Sequence, residues 1–188
     1  AAHLLPDGTV LDGEILVYKD DAIQGFHLLQ KRIGRKSVGK KMLEEAPVVL
    51  RCYDLLEWQG VDLRAKPQIE RRLLLGEVLQ GVPENNLLQC SDLVSFSSWG
   101  ELILRREESR AMNSEGLMLK AKEAVYGVGR KKGGWWKWKV EPLTIDAVLI
   151  YAMRGHGRRA NLYTDYTFAV WDGDVLVPFT KAYSGLTD

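Results

Sequence analysis

Along the pattern of polar and apolar positions, the first strong segment, Leu11 to Tyr18, has the length and composition of a strand. Asp7-Gly8 turns the chain into it, and Lys19-Asp20-Asp21 ends it. A period of two puts Asp12 and Glu14 on one face and Leu11, Ile15 and Val17 on the other. From Ile23 to Ile33 the period lengthens: Ile23, Phe26, Leu29 and Ile33 recur as on one side of a helix, which should give way to a basic loop around Arg35, Lys36, Lys40 and Lys41. Val48 to Leu56 is more continuously apolar and reads as a second strand. Pro67 suits the first turn of a helix reaching about Leu79, with Gly81 and Pro83 closing it. Ser98 and Glu101 have capping-box spacing for a helix to about Met112. Leu117 to Leu119 should be a short buried strand and Trp135 to Val140 another, joined by a basic, glycine-rich loop, Gly127 to Gly134. Beyond Pro142, the segments Asp146 to Ala152, Tyr163 to Val170 and Val175 to Pro178 lie between glycine-rich turns and read as all-β.

With 46% hydrophobic side chains in 188 residues, the chain can bury one core and start a second. Its 26 basic and 25 acidic residues leave a net charge of +1, so a nucleic-acid surface would have to come from local clustering. Cys52 and Cys90 form no C-x-x-C pair and lie in no Cys/His cluster, which suggests neither a zinc site nor a disulfide framework and fits a reducing cytosol. No apolar run approaches the roughly 18–20 residues of a membrane-crossing helix, and no leader pattern opens the chain. The expectation is a soluble, cytoplasmic protein without a membrane partner. The segment Ala1 to Val10 runs straight into the strand-like stretch with neither a starting Met nor a capping signal, and the chain reads as a fragment.

Several side chains are candidates for chemistry. Asp12 and Glu14 on one strand face could bind a cation, accept hydrogen bonds from sugar hydroxyls or move protons, or could form a solvated face. Gly13 between them suits close approach of another backbone. Strict alternation from Trp135 to Val140 puts Lys137 and Lys139 on one face and Trp136, Trp138 and Val140 on the other. Two ammonium groups on a strand anchored by tryptophans suit a phosphate; an edge strand protected from aggregation by its lysines has the same pattern. Glu115 and Lys120 bracket the buried run Gly116-Leu117-Met118-Leu119. In a regular strand they face opposite ways, so at most one belongs to a site, and Glu115 is favoured. Tyr53, on the face of Arg51, could stack on a purine or be core. Arg130, Lys131 and Lys132 could meet a DNA backbone or form a solvated loop. His3, His27 and His156 are scattered and support no metal site.

Taken together, these segments resemble the covalent nucleotidyltransferases, the superfamily of ATP-dependent ligases and capping enzymes. Leu11-Asp12-Gly13-Glu14-Ile15 resembles its third motif and Tyr53-Asp54-Leu55-Leu56 its purine-stacking aromatic motif. Ser114 to Lys120 (SEGLMLK) is similar to the fourth motif and Trp136-Lys137-Trp138-Lys139 to the fifth. Gly60-Val61-Asp62-Leu63-Arg64 with Pro67 and Glu70-Arg71-Arg72, and later Gly155-His156-Gly157-Arg158-Arg159, resemble ATP-dependent DNA ligases in particular. Lys181 to Asp188 is similar to a stretch of their OB-fold domain.

The resemblance implies an α+β fold. Residues 1–142 would form most of a nucleotidyltransferase (ATP-grasp-like) adenylation domain, with antiparallel sheets and flanking helices, and residues 143–188 the first strands of an OB-fold β-barrel. It further implies sealing of nicked duplex DNA with ATP and Mg2+ (or Mn2+). Glu14 would contact ribose or support the nucleophile's site, Tyr53 would stack on adenine, Glu115 would bind the metal, and Lys137 and Lys139 would hold the phosphates. Arg130, Lys131 and Arg158 are the candidate DNA contacts. The family's nucleophile is the lysine of a K-x-D-G motif. Here Asp7-Gly8, Asp12-Gly13 and Asp172-Gly173 are preceded at that position by Leu5, Val10 and Val170, so this polypeptide should not form the lysyl-adenylate. Partial domains would expose sheet edges and core surface, and either self-association or marginal stability is expected. The competing readings are an RNA ligase or capping-type enzyme, or a non-catalytic nucleic-acid-binding module. Work on DNA implies the cytoplasm, at the nucleoid in a bacterium.

Overall fold

The computed structural model describes residues 3–83, 87–129 and 131–183. The chain divides into two compact units, Ala1–Val140 and Glu141–Asp188.

The first unit starts with β1 (Val10–Lys19), which turns through Asp20 and Asp21, at φ 54° and 58°, into β2 (Ala22–Ile23). Two successive positive φ angles make the tight turn whose twist matches paired strands, and aspartate tolerates them better than most side chains. Helices α1 (Phe26–Ile33) and α2 (Lys40–Glu45) lead to β3 (Val48–Trp58), antiparallel to β1. A second tight turn at Gln59-Gly60 folds β4 (Val61–Asp62) back onto β3. Helix α3 (Gln68–Gln80) follows, and β5 (Leu88–Cys90) then joins β3 in parallel. Next comes α4 (Trp99–Glu107), capped by Ser98, whose Oγ accepts from the Glu101 amide at 3.2 Å. It runs on into a 3-10 turn, Glu108–Met112, so the helical stretch ends where expected. A separate antiparallel ribbon pairs β6 (Gly116–Lys120) with β7 (Trp135–Lys139).

Two apolar clusters hold this unit together. Cys52, Leu55, Leu63, Leu75, Val78 and Leu88 pack between the sheet and α3, and Val17, Leu29, Met42 and Ala46 pack under α1 and α2. Leu11 joins the first cluster and Val17 the second, but Ile15, between them, stays 54% exposed, so the apolar face read for β1 is interrupted. Two further expectations are corrected. Ile23 pairs with Tyr18 in β2 and the helix begins at Phe26, because the tight turn uses the residues before it. Lys40 and Lys41 open α2 rather than lying in a loop, and Met42 anchors that turn in the second cluster.

The second unit is a meander in which β9 (Tyr163–Asp172) lies between β8 (Val148–Arg154) and β10 (Val175–Ala182), with a 3-10 turn at Gly157–Arg159. Its three strands match the expected all-β region. Ser184 to Asp188 lies outside the described residues.

Candidate functional site

Asp12 and Tyr53 are brought together by an irregularity in the β1–β3 ladder. Asp12 is opposite Asp54 and Gly13 opposite Cys52, so Tyr53 is an extra residue in β3, a bulge that re-aims its side chain. Gly13 makes this possible: a Cβ there would lie 2.8 Å from the Arg51 carbonyl oxygen and 3.0 Å from Leu50 Cδ1. The close backbone approach expected at this glycine is therefore present. The Tyr53 hydroxyl donates to Asp12 Oδ1 at 2.9 Å and the Tyr126 hydroxyl to Oδ2 at 2.8 Å. Burial, reinforced by the Asp12 carboxylate, pushes the Tyr53 phenol well above its usual range and the Tyr126 phenol up to about 12. Glu14 is exposed on β1, close enough for its charge to be felt by Tyr53.

The β6–β7 register sets the second half of the site. Gly116 is opposite Lys139, Met118 opposite Lys137, and Lys120 opposite Trp135. Residues directly opposite share a face, so Lys137 and Lys139 emerge beside Met118 and Lys120. Trp138, on the other face, packs edge-on against Trp99 of α4 at 6.3 Å and lies under the Arg106 guanidinium at 4.9 Å. The alternation expected for β7 is thus present.

The expectation that Glu115 and Lys120 face opposite ways is corrected, because it assumed a regular strand through both. Gly116 sits at φ 144°, where a Cβ would collide with the Trp138 carbonyl oxygen and Lys139 Cα, and regular side-chain parity ends at that residue. Glu115 pairs through its carbonyl oxygen with the Val140 amide at 2.9 Å, and its carboxylate contacts the Lys139 ammonium. The Lys139 hydrogen bond and charge, with a smaller contribution from Lys137, hold the Glu115 carboxyl below its usual range. Lys120 meanwhile lies over two rings, 4.3 Å from the centroid of Tyr53 and 3.7 Å from that of Trp135. Burial lowers its pKa to about 8, against the attraction of Asp54 and Asp12.

Trp135 meets both tyrosines edge-on, Tyr53 at 6.2 Å and Tyr126 at 5.6 Å. Tyr126 comes from the β6–β7 connection, which is fastened to the start of α3. Lys122 and Ala124 carbonyls accept from the Ile69 and Gln68 amides, both at 2.9 Å, and the Tyr126 amide donates to the Arg64 carbonyl at 2.9 Å. Beneath it, Arg71 is fully buried and bidentate to Asp54, with Nε and Nη2 each 2.8 Å from a carboxylate oxygen. Sequence reasoning passed over Tyr126, Trp135 and the Asp54–Arg71 pair. Trp135 could have been placed by extending the β7 alternation back one residue, whereas the only signal at Tyr126 was an aromatic ahead of a glycine-rich loop. Among the expected DNA contacts, Lys131 is exposed in that loop and Arg158 in the 3-10 turn of the second unit, while Arg130 lies outside the described residues. Among the described residues no group of three or more His, Cys, Asp or Glu is placed to hold a metal, and no helix is long and apolar enough to cross a membrane.

Residues 1–139 match the family model of the ATP dependent DNA ligase domain. A probable DNA ligase of Koribacter versatilis is 36% identical over 95% of this chain and 34% of its own length. DNA ligase 1 of Korarchaeum cryptofilum is 32% identical over 95% of this chain and 32% of its own length, so the chain spans about a third of these curated relatives. Among solved structures, a Lig E DNA ligase studied for DNA binding with a minimal scaffold superposes with a TM-score of 0.69 at 19% identity, over 94% of this chain and 62% of that one. The ligase domain of M. tuberculosis LigD gives 0.53 at 22% identity, over 96% and 52%. These likenesses support the fold: α+β, a nucleotidyltransferase domain of antiparallel sheets and flanking helices, followed by strands consistent with the start of an OB-fold.

Proposed function

The chain belongs to the ATP-dependent DNA ligase domain family, and from that premise we propose that it forms the nucleotide-binding part of an enzyme that seals nicks in duplex DNA through enzyme-adenylate and DNA-adenylate intermediates. The observation that carries this reading is the shared face of the ribbon, where Lys137 and Lys139 emerge together, with Glu115 against Lys139 and Lys120 against the ring of Tyr53. Tyr53 stacks on the adenine, Glu14 accepts from the ribose hydroxyls, and Lys137 and Lys139 hold the phosphates as point charges on a pre-positioned strand. A Mg2+ or Mn2+ would be held by Glu115 together with phosphate oxygens of ATP. Such cations commonly use one or two protein carboxylates plus substrate phosphates, and a Glu115 kept ionised by its lysine neighbours fits that role. When bound, the cation neutralises phosphate charge.

No lysine of this chain stands two residues before an Asp-Gly, so the polypeptide binds ATP without forming a lysyl-adenylate of its own. Lys131, Arg130 and Arg158 meet the phosphate backbone of the DNA, where basic side chains supply affinity without sequence preference. Work on DNA with ATP places the protein in the cytoplasm, at the nucleoid in a bacterium.

The test is a calorimetric titration with ATP and Mg2+ on the wild-type chain and on Lys137→Ala and Lys139→Ala, beside a gel assay for transfer of labelled AMP. Binding that weakens in both variants, without labelling of the chain, supports the reading. Labelling of this chain would overturn the account of its nucleophile. Binding of nicked duplex with no ATP binding would favour a nucleic-acid-binding module without chemistry instead.

A further inference from the structure

We infer that Tyr126 is a positioning residue for the nucleobase, fixing through Asp12 the plane of the Tyr53 ring on which the purine stacks. The inference rests on the proposed stacking role of Tyr53 and adds to it the means by which that ring is held. A tyrosine at a strand bulge is anchored by its backbone at one end only, and its ring can turn about two side-chain torsions. In this chain the far end is tied as well. The Tyr53 hydroxyl donates to one oxygen of Asp12, and the second oxygen takes the hydroxyl of Tyr126 at 2.8 Å, so a single carboxylate bridges two phenols. Trp135 stands edge-on to both rings and closes the triangle.

The bridge holds Tyr53 only if Tyr126 is itself immobile, and three contacts make it so. Its amide is bonded to the Arg64 carbonyl at 2.9 Å. The Arg71 guanidinium lies 5.7 Å from its ring centroid. The Ala124 carbonyl, two residues earlier, accepts from the Gln68 amide at 2.9 Å and from Arg71 Nη1 at 3.3 Å. The ring that meets the base is therefore tied to helix α3, well outside its own strand. A ring held in its bound orientation before the ligand arrives loses less freedom on binding, which is affinity gained without a new contact.

Titrating the 188-residue chain with ATP and, separately, with inorganic tripolyphosphate distinguishes the base from the phosphates. In Tyr126→Phe, which keeps the ring and removes only the hydroxyl, ATP binding should weaken about three- to tenfold, less than the full worth of a hydrogen bond to a carboxylate because only the ordering of the Tyr53 ring is lost, with tripolyphosphate binding unchanged. Tyr53→Phe should give a similar loss. The double variant should lose no more than the weaker-binding single variant, because both phenols act through one carboxylate. Unchanged ATP affinity in Tyr126→Phe, additive losses in the double variant, or an equal loss for ATP and tripolyphosphate would each overturn the inference. A wild-type chain that binds tripolyphosphate no more weakly than ATP would overturn the stacking role of Tyr53 itself, a separate failure.

Discussion

Replacing Asp54 with alanine should be the most damaging single change in the first unit. Asp54 and Arg71 are both 0% exposed, and the carboxylate takes Arg71 Nε and Nη2 at 2.8 Å each. It also accepts from the Leu55 amide at 2.9 Å. In Asp54→Ala the guanidinium stays buried with acceptors on Nη1 alone, the carbonyls of Lys66 at 2.5 Å and Ala124 at 3.3 Å. Each orphaned buried donor costs about 1–3 kcal/mol. Breaking a buried ion pair from one side typically costs about 3–5 kcal/mol in all, a large part of the roughly 5–15 kcal/mol that holds a domain together. For a chain of this size that corresponds to a fall in Tm of roughly 6–20 °C. The assay is thermal and urea unfolding followed by tryptophan fluorescence. The double variant Asp54→Leu/Arg71→Met serves as the control: with both charges gone no ion is stranded, so its cost should fall well below the sum of the two single changes. An Asp54→Ala chain melting within about 2 °C of wild type, or a double variant with additive cost, would refute the reasoning. Asp62→Ala offers a contrast, since the Asp62–Arg64 pair has similar forked geometry at 2.8 Å but is about half exposed, and its loss should leave the Tm unchanged.

Three further outcomes are expected. Burial moves the Lys120 ammonium from 10.5 to about 8 in the fold, amid Asp54, Asp12, Arg72 and Arg71. Between those pH values the unfolded chain binds more protons than the folded one, so stability rises with pH from about 8. Above about 10 the raised phenols of Tyr53 and Tyr126 act the other way, because the folded state keeps protons that the unfolded chain sheds. Urea midpoints measured from pH 7 to 8.5, below the range in which the buried Cys52 thiol, pushed up to about 11, acts the other way, should climb in wild type and stay level in Lys120→Met, and a level wild-type profile would refute this account. Gly116→Ala should lower the Tm and weaken ATP binding together, since strain at such a φ costs about 1–3 kcal/mol and any shift that relieves it moves Glu115 and Lys139; melting and titration of the same sample check both. Glu115→Gln should abolish the strengthening of ATP binding by Mg2+ while leaving metal-free binding at least as tight as wild type, because Lys139 loses its competing carboxylate, as titrations with Mg2+ and with EDTA would reveal.

The parts of the site that follow a two-residue period were legible in the sequence, and the parts that depend on a break in that period were not. Alternation alone placed Lys137 and Lys139 on one face of β7, and the β6 partner strand conforms to it. One step further back, the same alternation puts Trp135 on the lysine face, where it receives Lys120. Parity carried through Gly116 misplaces Lys120, because the positive φ of that glycine interrupts parity and brings Glu115 to Lys139. At Gly13 the opposite holds: a close backbone approach is legible from the glycine itself, and the bulge it allows sets the Tyr53 hydroxyl against Asp12. A glycine directly beside an acidic residue in an otherwise strand-forming run is thus better read as a point where side-chain direction resets than as a weak strand position. Tyr126 and Arg71 were beyond reach for a different reason. Their places are set by backbone groups of α3 and of the β6–β7 connection, more than 50 residues apart in the chain for Arg71 and Ala124, and carbonyl and amide partners leave no trace in the order of side chains. Residues that touch a ligand tend to carry distinctive chemistry and can be read singly, whereas those that hold them in place become legible only once the backbone has brought them together.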